Sequence, residues 1–184
     1  MGFPILETER LRLIEIKEKH TEDIFAIFSN EAVIKYYGMS AFTEYQQAKS
    51  LIESFGKNFK EKRSMRWGII LKETGSFVGT VGLNNLIITG RRTEIGYDLL
   101  PEYWRKGIIS EAVNTVIQYC FKELDLFRIG AVTFPQNESS NKLLLKLGFE
   151  KEGLLRGYLY QNGHSNDALV FSLIKPDWDK NRLL

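Results

Sequence analysis

One join near the middle of the chain constrains the fold most. From Thr93 to Leu100 polar and apolar residues alternate, Pro101 interrupts them, and after Gly107 a new pattern begins. There Ile109, Ala112, Val113, Val116, Ile117, Cys120, Phe121 and Leu124 recur at three- and four-residue intervals. Alternation is the mark of a half-buried strand, and the wider spacing that of an amphipathic helix. Proline cannot donate to a sheet ladder, so the strand ends at Pro101. A strand feeding a helix through a glycine-containing loop leaves helix N-terminal amides without internal partners at that loop.

The flanking sequence predicts an α/β (α+β) chain. Leu11 and Leu13 alternate with Arg10 and Arg12, and Ile14 and Ile16 follow, which predicts an opening strand. Thr21 is the expected cap of a short helix carrying Ile24, Phe25, Ile27 and Phe28. A longer helix is expected from Thr43, where Thr43-Glu44-Tyr45-Gln46 fits a capping box and Ala48, Leu51, Ile52 and Phe55 form a stripe. Trp67 to Leu71 and Phe77 to Val81 read as a hairpin across Glu73-Thr74-Gly75-Ser76, with Thr93 to Leu100 extending the antiparallel part. Beyond the central helix, Arg128 to Phe134 reads as a strand and Asn137 to Leu147 as a helix ended by Gly148. Two closing strands follow around Asn162-Gly163. After the first strand the expected order is two helices, three strands, helix, strand, helix, two strands, within one domain over 1–184.

Composition narrows the function. Hydrophobic residues make up 43% and charged residues 26% of the 184, the balance of a folded globular chain. Twenty-five Lys and Arg against 23 Asp and Glu leave +2, too little charge to argue for nucleic acid or an anionic membrane. Cys120 has no second cysteine to pair with, and the Met1-Gly2-Phe3-Pro4 start lacks a basic region followed by a long apolar run, so a cytoplasmic location is expected. Cys120, His20 and His164 have no metal-ligand spacing, and no metal is expected. The basic run Lys57 to Arg66 reads as a solvated helix end.

Chemistry points to Tyr103-Trp104-Arg105-Lys106-Gly107-Ile108-Ile109-Ser110. Free amides at a helix N-terminus favour phosphate, Gly107 lets it approach, and Arg105 and Lys106 add positive charge. An ordinary helix start with solvated basic residues explains the same loop.

The whole chain resembles the GNAT acetyltransferases, particularly their RimJ/RimL-like branch. The resemblance runs through Glu7-Thr8-Glu9-Arg10-Leu11-Arg12-Leu13, Glu94-Ile95-Gly96-Tyr97, Tyr103 to Ala112, Asn137 to Gly153 and Asn162 to Asp167. It implies a mixed, mostly antiparallel sheet flanked by helices, splayed between Glu94–Leu100 and Arg128–Phe134 to admit acetyl-CoA. The family's loop pattern, Gln/Arg-x-x-Gly-x-Gly/Ala, falls on Trp104 to Ile109, where only Gly107 matches strictly. The residues it assigns to the coenzyme are Leu99, Arg105, Lys106, Gly107, Ile108, Ile109, Ser110 and Asn137.

The implied reaction is direct acetyl transfer to an amine, either a protein N-terminal amine or a small primary amine. Acetylation of a polyamine, amino acid or aminoglycoside is the alternative, and a noncatalytic acyl-CoA-binding protein is another. Glu94 is the candidate base, sharing a strand face with Gly96 and Asp98; a solvent-facing strand carboxylate is the competing reading. Ser140 is the candidate acid toward the departing thiolate and Asn137 a pantetheine or loop partner, although both also suit a helix N-terminus. Tyr97 fits either substrate contact or packing, Gly96 a bulge or tight packing, and Tyr158 and Tyr160 hairpin packing. Cys120 belongs to an apolar stripe rather than to catalysis. Monomer and homodimer are both compatible with the sequence.

Overall fold

The computed structural model describes residues 2–181, so the two ends of the expected 1–184 domain lie outside the described residues. Eight strands form one sheet in the order β1-β2-β3-β4-β5-β6-β8-β7. The strands are β1 (Leu6–Glu7), β2 (Leu11–Glu15), β3 (Met65–Leu71), β4 (Phe77–Ile87), β5 (Arg92–Leu99), β6 (Arg128–Thr133), β7 (Glu150–Gln161) and β8 (His164–Ile174). The helices are α1 (Thr21–Phe28), α2 (Glu31–Ile34), α3 (Tyr45–Lys60), α4 (Ile108–Lys122), α5 (Glu138–Lys146) and α6 (Lys175–Asn181). Every neighbouring strand pair is antiparallel except β5–β6, which are joined through α4 and run parallel.

Side-chain alternation decides the layers. On β3, Met65, Trp67 and Ile69 join one core with Val81, Leu83, Ile95 and Leu99, covered by α4. The α4 stripe buries Ile108, Ala112, Val113, Val116, Ile117, Cys120 and Phe121. Each of its large apolar side chains contributes roughly 1.5–3 kcal/mol by leaving water. A second core holds Ile24, Ile27 and Phe28 of α1, Ala48 and Ile52 of α3, and Phe77.

Several local expectations shift. Thr21 is not the cap but the first residue of α1, and its hydroxyl donates to the Glu18 carbonyl at 2.5 Å. The capping box of α3 sits one residue later than read: Gln47 Oε1 accepts from the N–H groups of Glu44 (3.0 Å) and Thr43 (2.8 Å). The four-residue α2 and the terminal α6 are too short for a period to show in the sequence. Gly96 is no bulge. It pairs in register with Gly82, and the irregularity of β4–β5 falls between Asn84 and Ile87. A Cβ on Gly96 would lie 3.0 Å from Asn84 Nδ2 and 3.4 Å from Arg66 Nη1, so packing explains the glycine. The closing turn stands as expected, with Asn162 and Gly163 both at positive φ, 52° and 80°, between paired Gln161 and His164. Among the described residues no helix is long and apolar enough to cross a membrane.

Candidate active site

The strand-to-helix join becomes a cradle of main-chain amides. After a short 3-10 turn at Pro101–Tyr103, Arg105 (φ 60°) and Gly107 (φ 75°) adopt left-handed conformations that turn the chain into α4. Glycine adopts this region without the steric cost an L side chain meets. The first α-helical bond there runs from Glu111 N–H to the Gly107 carbonyl, 3.1 Å, so the amides just before it face outward from the helix end. Such a concave run of N–H groups at a positive helix end suits a phosphate.

The turn between β1 and β2 braces this loop from behind. Arg10 pairs with Glu111 (Nη2 to Oε2, 2.6 Å) and its Nη1 donates to the Lys106 carbonyl at 3.0 Å, while the Thr8 hydroxyl donates to Glu111 Oε1. Although burial opposes the Glu111 charge, these donors outweigh it and hold its carboxyl below the usual range. The Trp104 indole donates to the Leu99 carbonyl at 2.7 Å and so fixes the loop to the end of β5.

The parallel β5–β6 ladder is short. Arg92, Thr93 and Glu94 pair with Arg128, Ile129 and Gly130, and beyond Glu94 the two strands diverge. Two cavities meet at the opening. One, of about 670 Å³, is a groove bordered by Leu99, Arg105, Gly107, Ile108, Ile109, Ser110 and Asn137, with Lys35 and Lys146 at its sides. The other, of about 420 Å³, is walled by Met39, Leu51, Phe55, Arg66, Glu94 and Thr133 among others. Tyr36, Tyr97, Asn137 and Ser140 border both.

At that shared point Tyr97 Oη and Ser140 Oγ lie 2.7 Å apart, and burial pushes the Tyr97 hydroxyl up to about 12. Asn137 caps α5, its Oδ1 accepting from Ser140 N–H at 3.3 Å, so capping and cavity lining coexist in the same residue. Glu94 accepts a hydrogen bond from Asn85 Nδ2 at 3.0 Å. It shares its strand face with Gly96 and Asp98, as the alternation predicts.

Arg66 is a correction. Instead of a solvated helix end it lies on β3, its side chain 5% exposed against Asp98 at 1%, with Nη2 to Oδ2 at 2.7 Å. Its Nε donates to Thr80 Oγ1 (2.8 Å), Nη1 to the Gly96 carbonyl (3.3 Å) and Nη2 to Tyr37 Oη (2.5 Å). Burial works against the guanidinium charge, and Tyr37 and Asp98 outweigh it, so Arg66 stays charged. Thr80 completes the network by donating its N–H and hydroxyl to Asp98 at 2.9 and 2.7 Å.

Of the residues assigned to the coenzyme from sequence, all except Lys106 border the larger groove. The Lys106 ammonium instead sits 5.4 Å from the Tyr103 ring centroid. Cys120 is fully buried, and burial drives its thiol well above the ordinary range. His20 accepts from Lys17 N–H at 2.9 Å and burial lowers its pKa, while His164 begins β8 at the hairpin turn. Sequence reasoning missed Tyr36, Tyr37, Lys35, Lys146 and Arg66. For Arg66 one signal was available, its place in the apolar run Met65 to Leu71.

Comparison with known proteins agrees with this geometry. The family Acetyltransferase (GNAT) domain matches residues 10–150. The uncharacterized N-acetyltransferase YoaA of Bacillus subtilis is 50% identical over 95% of this chain and 98% of its own length. The spermidine N(1)-acetyltransferase of Escherichia coli is 25% identical over 91% of this chain and 86% of its own. Among solved structures, the ribosomal-protein-S5-alanine acetyltransferase of Vibrio fischeri superposes with a TM-score of 0.80 at 29% identity, covering 95% of this chain and 98% of that one.

Proposed function

Because this chain belongs to the GNAT acetyltransferase family and is therefore an acetyl-CoA-dependent N-acetyltransferase, we propose that its acceptor is a single amine, the α-amine of a protein or peptide N-terminus, admitted through the smaller cavity. The carrying observation is the pair of cavities that meet at Tyr36, Tyr97, Asn137 and Ser140. The larger fits the coenzyme chemically: main-chain amides and Arg105 at one end for phosphates, with apolar Leu99 from β5 and Ile108 and Ile109 from the start of α4 beside them. Bound acetyl-CoA supplies the acetyl group as an activated thioester.

Charge in the smaller cavity favours one amine over many. Its lining holds one carboxylate, Glu94, and a guanidinium, Arg66, already matched by Asp98. A polyamine carries several ammonium groups and calls for several carboxylates, whereas Tyr36, Tyr37, Met39, Leu51 and Phe55 suit an apolar side chain beside a single amine. Glu94 takes the proton from the incoming ammonium, directly or through water, so that the nitrogen lone pair can form the new N–C bond. Ser140, hydrogen-bonded to Tyr97 at 2.7 Å where the cavities meet, would protonate the departing sulfur as the C–S bond breaks and be restored by the second proton that the acylated nitrogen releases. Because both substrates bind at once, the residues act by proximity and proton transfer, and no acyl-enzyme is required.

The test is thermal unfolding with acetyl-CoA against ATP, followed by thiol release with an Ala-initiated peptide and with spermidine. A selective rise in Tm with acetyl-CoA and turnover of the peptide are expected. Spermidine turnover exceeding that of the peptide would overturn the single-amine reading.

A further inference from the structure

The smaller cavity is roofed by a segment that has little regular structure of its own. The helix α2 spans four residues, and the chain from Lys35 to Glu44 is irregular until α3 begins. A helix this short does not persist without tertiary contacts. Yet Tyr36, Tyr37 and Met39 of this segment line the cavity.

One side chain from more than a hundred residues away meets the segment's main chain. Gln161, the last residue of β7, is 6% exposed. Its Oε1 accepts from Gly38 N–H at 3.1 Å, and its Nε2 donates to the carbonyls of Ile34 at 2.9 Å and Met39 at 3.2 Å. The amide thus uses its acceptor and both donor protons on three main-chain groups of one segment. The hairpin that carries Gln161 continues into β8, and β8 pairs with β6. On β6, Ala131, Val132 and Thr133 form the opposite wall of the same cavity. The roof is therefore tied to the sheet half that faces it across the opening.

We infer that Gln161 is a positioning residue for the acceptor: it holds Tyr36, Tyr37 and Met39 over the smaller cavity and so determines which amines reach Glu94 and Ser140. This rests on the acceptor reading of that cavity. Gln161 touches neither cavity, and its effect passes entirely through the roof. Of the three roof residues only Tyr36 also borders the coenzyme groove, whose phosphate end is formed elsewhere, by the loop at Gly107 and the N-terminus of α4.

The experiment compares wild type, Gln161→Ala, Gln161→Met, which keeps most of the volume but loses the three hydrogen bonds, and Phe121→Leu, a core change on the far side of the sheet. Amide hydrogen exchange is followed over residues 34–42, acetyl-CoA affinity by calorimetry, and kcat and KM with an Ala-initiated hexapeptide. Both Gln161 variants are expected to speed exchange at Gly38 by about tenfold or more. They should also lower kcat/KM for the peptide by about tenfold, mainly through KM, with the acetyl-CoA Kd within about twofold of wild type. Phe121→Leu should leave both readouts near wild type at matched stability. If Gln161→Met behaves as wild type, or if the peptide kinetics merely follow stability as in Phe121→Leu, the inference is wrong. A wild type that binds acetyl-CoA but does not turn over the peptide would sink the acceptor reading. In that case the exchange at Gly38 still decides whether Gln161 holds the roof.

Discussion

Arg66→Met is the most informative stability test, because it removes one partner of a pair that is almost wholly out of water. Asp98 would keep its bonds from Thr80 N–H and Thr80 Oγ1 but lose the guanidinium at 2.7 Å, leaving a carboxylate 1% exposed without its counter-charge. Breaking a buried pair from one side costs about 3–5 kcal/mol, a large share of the roughly 5–15 kcal/mol that holds a typical domain together. With a urea m-value of about 2 kcal/mol per M, the midpoint should fall by roughly 1.5–2.5 M. Urea unfolding followed by circular dichroism measures it. In Arg66→Met/Asp98→Asn both charges are gone while an amide oxygen still accepts from Thr80, so at least half of the loss should return. A single-variant cost under about 1 kcal/mol, or a double variant no better than the single, would refute the reasoning that the charge balance, rather than packing, dominates at this position.

Three further outcomes follow from the same geometry. Glu94→Gln and Ser140→Ala should each lower kcat by about a hundredfold or more while acetyl-CoA affinity, read by calorimetry, stays within about twofold; unchanged kcat at saturating substrates removes that residue from the mechanism. Gly107→Ala forces a Cβ into a φ of 75° and to 3.4 Å from Arg10 Nη2, so acetyl-CoA affinity should weaken by about tenfold, and an unaltered Kd would contradict the cradle. Glu152, hydrogen-bonded by Arg128 and Ser172, has its pKa lowered from 4.5 to about 2. Its contribution to stability is therefore fully present above pH 4.5 and lost as pH falls toward 2. Glu152→Gln should flatten that part of the stability profile, and an identical acid limb in both proteins would show that the pairing carries no weight.

Features set by local spacing were legible in the sequence. The α4 stripe, the cap at Asn137, the Asn162-Gly163 turn and the strand-to-helix loop all follow from residues within a few positions of one another, where period and turn chemistry speak directly. The placement of Glu94 and Asp98 on one face followed from strand alternation alone. The acceptor side was hidden because it is assembled from distant parts. Arg66 and Asp98 are 32 residues apart and Gln161 lies 122–127 from its partners, and no spacing rule connects them. A charged residue at the end of a basic run is ordinarily solvated, and only the β-ladder that turns Arg66 toward Thr80 and Asp98 reverses that expectation. Lys106 is the opposite case: beside the phosphate loop its ammonium lies near the Tyr103 ring, a contact that loop composition does not announce.

The outer strand β7 carries a consequence for how the protein behaves in crowded solution. It ends the sheet, and Leu154, Tyr158 and Tyr160 stand at least half exposed along it, a combination that ordinarily invites strand-to-strand association between molecules. Yet its pairing with β8 is broken between Lys151 and Gly153 and again between Leu155 and Leu159, so no regular run exceeds three residues. Lys151 and Arg156 are interspersed among the apolar side chains, and Gly157 at φ 64° bends the strand. An incoming strand therefore finds no regular run longer than three residues, which works against propagation along this edge despite its apolar surface.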